Sequence, residues 1–192
     1  HSTSSAASDV YKRQGMNYPQ LISKYTMGAV LYHQACDNYL DEKMTASNKP
    51  NDKPYKKGAY YTGKEHSWDE AFGYWGAAAH TMTLSAQQSY DVAKKKDLKA
   101  ADFNKDGVVD LYKEMTYGHA YYASAFDRGG KTNYLKTVTK AFIDGRKIIT
   151  NADGEKLSSS DLTKVQDLAQ VICSNWAQVI AEAVHKLSLI HI

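Results

Sequence analysis

Apolar residues in this chain return every three or four positions, in one segment after another, and that spacing leaves few folds open. From Tyr18 to about Lys43 they fall at Leu21, Tyr25, Gly28, Tyr32, Ala35 and Tyr39, with Ile22, Ala29 and Cys36 alongside. Such a pattern makes a broad buried stripe along one helix, and Pro19 suits its first turn. In "GKEHSWDEAFGYWG", Trp68, Phe72 and Trp75 stand at i, i+4 and i+7 and share a face. Ser85 to about Lys99 reads as a more polar helix. Leu111 to Phe126 carries Met115, His119, Tyr122 and Phe126 in line, and Asn133 to Thr150 carries Leu135, Val138, Phe142 and Ile149. Ser159-Ser160-Asp161 offers N-caps for a last long helix to His185. "NKPNDKPYKKG" reads as a polar linker, and "RGGKTN" and "NADGEK" as stops and turns. No stretch alternates with period two, and no fixed repeat is evident. The expected fold class is all-α, a bundle of about five or six helices.

The two ends read differently. "SSAASDVYKRQ" (Ser4 to Gln14) matches a translated sequencing-library adapter, and "LSLIHI" (Leu187 to Ile192) matches its other end. Residues 1–14 and 187–192 are therefore set aside as adapter. Gly15 to Lys186 is expected to be a single helical domain, incomplete at both ends, from a metagenomic fragment. The net charge of +3 becomes about +2 without the ends, which argues against a nucleic-acid partner. The basic runs Lys94-Lys95-Lys96 and Lys53 to Lys57 are short and read as solvated faces. No apolar run outside the adapter is long enough for a membrane span. Cys36 and Cys173 leave two readings open, one disulfide or two separately buried thiols.

"ADFNKDGVVDLYKEM" points most directly to chemistry. Calcium takes several oxygen ligands around a tight turn. Asp102, Asn104 and Asp106 stand at alternate positions, Gly107 allows the sharp bend, Val108 offers a carbonyl, and Asp110 stands where a water-mediated ligand often does. Position 12, where an EF-hand carries its bidentate glutamate, is Lys113, and the glutamate is Glu114, one residue late. One residue on a helix is a rotation of about 100° and a rise of about 1.5 Å. The expectation is an EF-hand-like loop between two helices, with altered closure, holding one calcium ion in a structural role. The competing reading is an Asp/Asn/Gly turn that caps the next helix. "TNADGEKL" has Ile149 at its first ligand position and reads as a turn.

A second set of candidate ligands centres on His66, with Asp69 and Glu70 at i+3 and i+4. Those residues suit a transition metal or a base, with His119 as a further candidate and His33, His80 and His185 in reserve. A helix-start ion pair or a core histidine explains the same residues without metal. Gly129-Gly130 lacks the strand and spacing of a phosphate loop, and no nucleophile elbow is present.

"MGAVLYHQACDNYL", "GAYYTGKEHSWDEAFGYWGAA" and "DxNxDGxxDLxxE" followed by "YGHAYYASAFD" together resemble a bacterial cell-envelope family catalogued as a domain of unknown function, family 4856. Its most specific block, "EHxWDEAFGYxG", stands here as Glu65 to Gly76. The resemblance covers nearly all of Gly15 to Lys186. It implies a helical domain that is exported or lipid-anchored, in the periplasm or on the outer cell surface. It also implies a distant likeness to imelysin-like proteins, which are linked to metal acquisition. Imelysins carry GxHxxE, whereas here His66 follows Gly63 by three and Asp69 stands in the last position. The function expected is a non-enzymatic binding or scaffold domain stabilised by calcium, its protein partner unspecified. The alternatives are an imelysin-like metal-binding protein or a metallo-hydrolase using His66 with Asp69 or Glu70.

Overall fold

The computed structural model describes residues 18–189, so the adapter readings of residues 1–14 and 190–192 lie outside the described residues. Within them the architecture is all-α, with seven α-helices and no strand. The first helix, α1 (Tyr18–Thr26), continues in π geometry over Met27–Tyr32 and Gln34–Asp41 and ends in a 3-10 turn, Glu42–Met44. Then come α2 (Gly63–Trp75), α3 (Ala86–Ala93), α4 (Leu98–Ala101), α5 (Gly118–Asp127), α6 (Tyr134–Asn151) and α7 (Ser159–Leu189). The bridge Pro54 to Thr62 is the only β-pairing among the described residues.

The aromatic spacing of α2 builds the core. Trp68 and Trp75 are buried and Phe72 packs beside them. Trp75 meets Trp176 of α7 edge-on at 5.0 Å, and Trp68 donates its indole N–H to the Phe142 carbonyl of α6 at 2.8 Å. Burying side chains of this size stabilises the fold by roughly 2–3 kcal/mol each. A smaller cluster of Leu84, Val92, Ala101 and Met115, with Val109 against it, lies apart from this core. It anchors both ends of the loop between α4 and α5. Cys36 and Cys173 are joined as a disulfide, Cα to Cα 5.8 Å, which ties the π-helical segment to α7.

Three expected elements differ. Among the described side chains of the first helix's apolar stripe, burial begins at Ala35, while Ile22 and Tyr25 are exposed. The exposed residues lie in the α-helical part and the buried ones in the second π segment, where the disulfide draws the chain against α7. The expected helix from Ser85 to Lys99 is two helices, because Lys95 takes φ +58° and Asp97 starts a new one by accepting from the Ala100 amide at 3.0 Å. The expected helix from Leu111 begins only at Gly118. Two tertiary bonds hold the chain extended before it: Ala79 N–H to Lys113 O at 2.8 Å and Tyr117 N–H to Gly76 O at 2.7 Å. Those amides and carbonyls cannot also serve a helix.

Candidate functional site

The loop after α4 is shaped by its own side chains. Asp102 accepts from the amides of Asp106 at 3.2 Å and Gly107 at 3.0 Å. Asn104 Oδ1 accepts from the Asp106 amide at 3.1 Å, and its Nδ2 donates to Asp106 Oδ2 at 2.8 Å. Asp106 Oδ1 accepts from Val108 N–H at 2.8 Å. Lys105 and Gly107 both adopt left-handed backbone, φ +60° and +82°, which the alternating ligand positions require and which glycine takes at little cost.

Glu114 closes the loop, although it stands one residue beyond the twelfth position. The chain here is a hydrogen-bonded turn and not yet a helix, and the Glu114 amide bonds Asp110 O at 2.8 Å. Its carboxylate folds back to accept from Phe103 N–H at 3.0 Å, Asn104 N–H at 3.4 Å and Asp110 N–H at 2.8 Å. Glu114 is buried, and its donors are backbone amides with no cation among the described residues. Lys113 turns outward, 3.5 Å from Asp110 Oδ2. The Tyr112 amide holds the Asp110 carboxyl below the usual carboxylate range.

Asp102, Asn104, Asp106, the Val108 carbonyl, Asp110 and Glu114 form an all-oxygen donor set, the kind a hard cation such as calcium takes. After the hydrogen bonds above, each side chain keeps an oxygen lone pair. Among the described residues, however, no group of three or more His, Cys, Asp and Glu side chains is already gathered as a metal cage.

The His66 set is divided. His66 Nε2 and Glu70 Oε1 are 2.9 Å apart, and the imidazole lies against Tyr55 and Tyr61, ring centroids 3.7 and 5.6 Å away. Asp69 accepts instead from Arg146 Nε at 2.8 Å, while Arg146 Nη1 reaches Glu65 at 2.7 Å. Burial raises the Glu65 pKa, but the Thr62 amide and Arg146 outweigh it and hold the carboxyl below its ordinary range. His119 is elsewhere, buried edge-on against Trp176 at 5.5 Å. Burial, helped by nearby Lys24, pulls its pKa down to about 4, so it is neutral near pH 7. Of the four residues, the fold joins only His66 and Glu70.

Arg146, Tyr55 and Tyr61 carried no signal of their own in the sequence. Arg146 pairs with acids about 80 positions away, Tyr55 belongs to the stretch that read as linker, and Tyr61 lies just after it. With Trp68, Asp69, Phe72, Phe142 and Ile143, Arg146 lines a cleft of about 400 Å³ between α2 and α6. The most specific block of the sequence thus supplies both core and cleft wall.

No curated protein and no solved structure matches the chain. A family model described as "Domain of unknown function (DUF4856)" matches residues 3–189, and over that extent the chain belongs to this family.

Proposed function

We propose that this chain is a non-enzymatic binding or scaffold domain, exported to a bacterial periplasm or outer cell surface, whose 102–114 loop takes one calcium ion. One observation carries the reading: Glu114 buries a carboxylate inside a loop of three spaced oxygen donors, with only amides as partners. A buried carboxylate without a cation is costly, and an ion held by Asp102, Asn104, Asp106, Val108 O, Asp110 and Glu114 would offset that cost. The ion's role is structural, because the loop is anchored at both ends by one apolar cluster. The Cys36–Cys173 bond supports an oxidising compartment.

The test is thermal melting with and without calcium. At a calcium concentration near a hundred times Kd, linkage adds about 2.7 kcal/mol, an expected rise in Tm of roughly 5–10 °C for a domain of this size. Asp102→Ala with Asp106→Ala should abolish the rise. Equal melting of the unaltered protein in calcium and in chelator would overturn the proposal and leave the loop as a turn held by its own Asp and Asn hydrogen bonds.

A further inference from the structure

Where α1, α3, α5 and α7 approach one another, a cleft of about 520 Å³ opens. That is within the range of small-molecule sites. Lys24, Lys94, Arg128 and Lys186 line it together with Tyr90, Tyr121 and Tyr122, and among the described residues no carboxylate does. Two of the cations lie against aromatic rings and a third meets a phenol hydroxyl. The Arg128 guanidinium is 3.6 Å from the centre of the Tyr90 ring and Lys94 Nζ is 5.0 Å from that of Tyr121, while Lys24 Nζ donates to the Tyr122 hydroxyl. Tyr90 and Tyr121 are themselves stacked at 5.6 Å.

Three acids of the same helices hydrogen-bond to neutral groups. Asp91 accepts from Gln87 at 2.7 Å. Asp127 is buried and accepts from Thr132 and from the amides of Tyr134 and Leu135. Glu182 is hydrogen-bonded to Tyr134. Among the described residues, four cations thus share one concave surface with no carboxylate in its lining. The Tyr90 and Tyr121 rings offset part of the repulsion between the cations. The remaining positive potential is focused into a cleft.

We propose that this cleft binds a phosphate-bearing ligand, the phosphoryl oxygens meeting Lys24, Lys94 and Arg128. Phosphate fits better than carboxylate because the donors come from separate elements around the cleft. A tetrahedral anion presents oxygens in several directions, and the planar fork of Arg128 can hold two of them. The site shares no residue with the 102–114 loop, so it stands or falls independently of calcium.

Calorimetric titration of the full chain tests it, with inorganic pyrophosphate, citrate, and vesicles of phosphatidylglycerol or phosphatidylcholine as probes. Pyrophosphate is expected to bind, and to bind about tenfold or more weakly in Lys94→Gln with Arg128→Gln. Arg128→Lys, which keeps the charge and loses the fork, should weaken it severalfold even if the double variant folds poorly. Lys57→Gln with Lys131→Gln, equal in charge and outside the cleft, should leave it unchanged. Binding of phosphatidylglycerol vesicles alone, lost in the double variant, would assign the phosphate to a lipid headgroup. Three results would overturn the proposal: no binding of either phosphate source, citrate binding as tight as pyrophosphate, or equal weakening by the control pair.

Discussion

Lys64 shows how one residue can close off the end of an element. It is buried, and its ammonium donates to the carbonyls of Lys43 at 3.2 Å, Thr45 at 2.7 Å and Asn48 at 3.0 Å. These oxygens lie at and just beyond the end of the first helix, where carbonyls lack helical partners. Burial pulls the Lys64 pKa down to about 8. Lys64→Met keeps the stem and removes all three donors, and it should lower stability by roughly 2–4 kcal/mol, read as a shifted urea midpoint. His119 predicts a pH dependence. The folded chain refuses a proton that the unfolded imidazole accepts, since the pKa falls from 6.5 to about 4 on burial. The stability associated with neutral His119 is therefore intact above pH 6.5 and is lost progressively as pH falls toward 4, up to about 3 kcal/mol. Urea melts at neutral pH and near pH 4 measure this loss. His119→Phe should flatten the acid limb between those values, and an unchanged slope would place the loss on other groups. The sequence named His119 as a possible ligand, but periodicity could not reveal that its neighbour would be the apolar edge of Trp176.

At the scale of elements, α2 was the most legible. Thr62 and Glu65 cap it reciprocally, and Gly76 ends it at φ +85°, the left-handed conformation in which helices commonly stop. Gly76 has a second duty, because a Cβ there would lie 2.7 Å from Tyr117 O, within the extended pairing that delays α5. Gly145, inside α6, carries no turn signal. Its missing side chain is filled by Trp68, and a Cβ would stand 2.1 Å from the indole. Gly145→Ala should cost about 1–3 kcal/mol by overpacking, despite its better helix propensity. A rise in Tm would show that Trp68 can shift freely. The linker reading of "NKPNDKPYKKG" failed at Asn51, which is buried. It donates to Ile149 O and Glu155 O and accepts from Thr62 Oγ1. Composition marked the segment as non-helical, while its order comes from partners that are remote in sequence.

For the whole molecule, the disulfide is the covalent tie, joining residues 137 apart. In the chain-entropy account, closing a loop of that length stabilises the fold by roughly 4–5 kcal/mol. Reductant, or Cys36→Ser with Cys173→Ser, should lower the urea midpoint accordingly, and no change would mean that the unfolded chain gains little freedom. The sequence by itself determined the all-helical class, the aromatic face of α2, the polar breaks and the ligand spacing of residues 102–110, because periodicity, capping and turn chemistry act over a few neighbouring residues. Tertiary structure alone decided that Cys36 meets Cys173, that Asp69 goes to Arg146 and not to His66, that His119 is sealed against Trp176, and that Glu114 folds back over its loop. Those outcomes depend on which helix faces come together and on where chain reversals release backbone donors, quantities that local spacing does not encode.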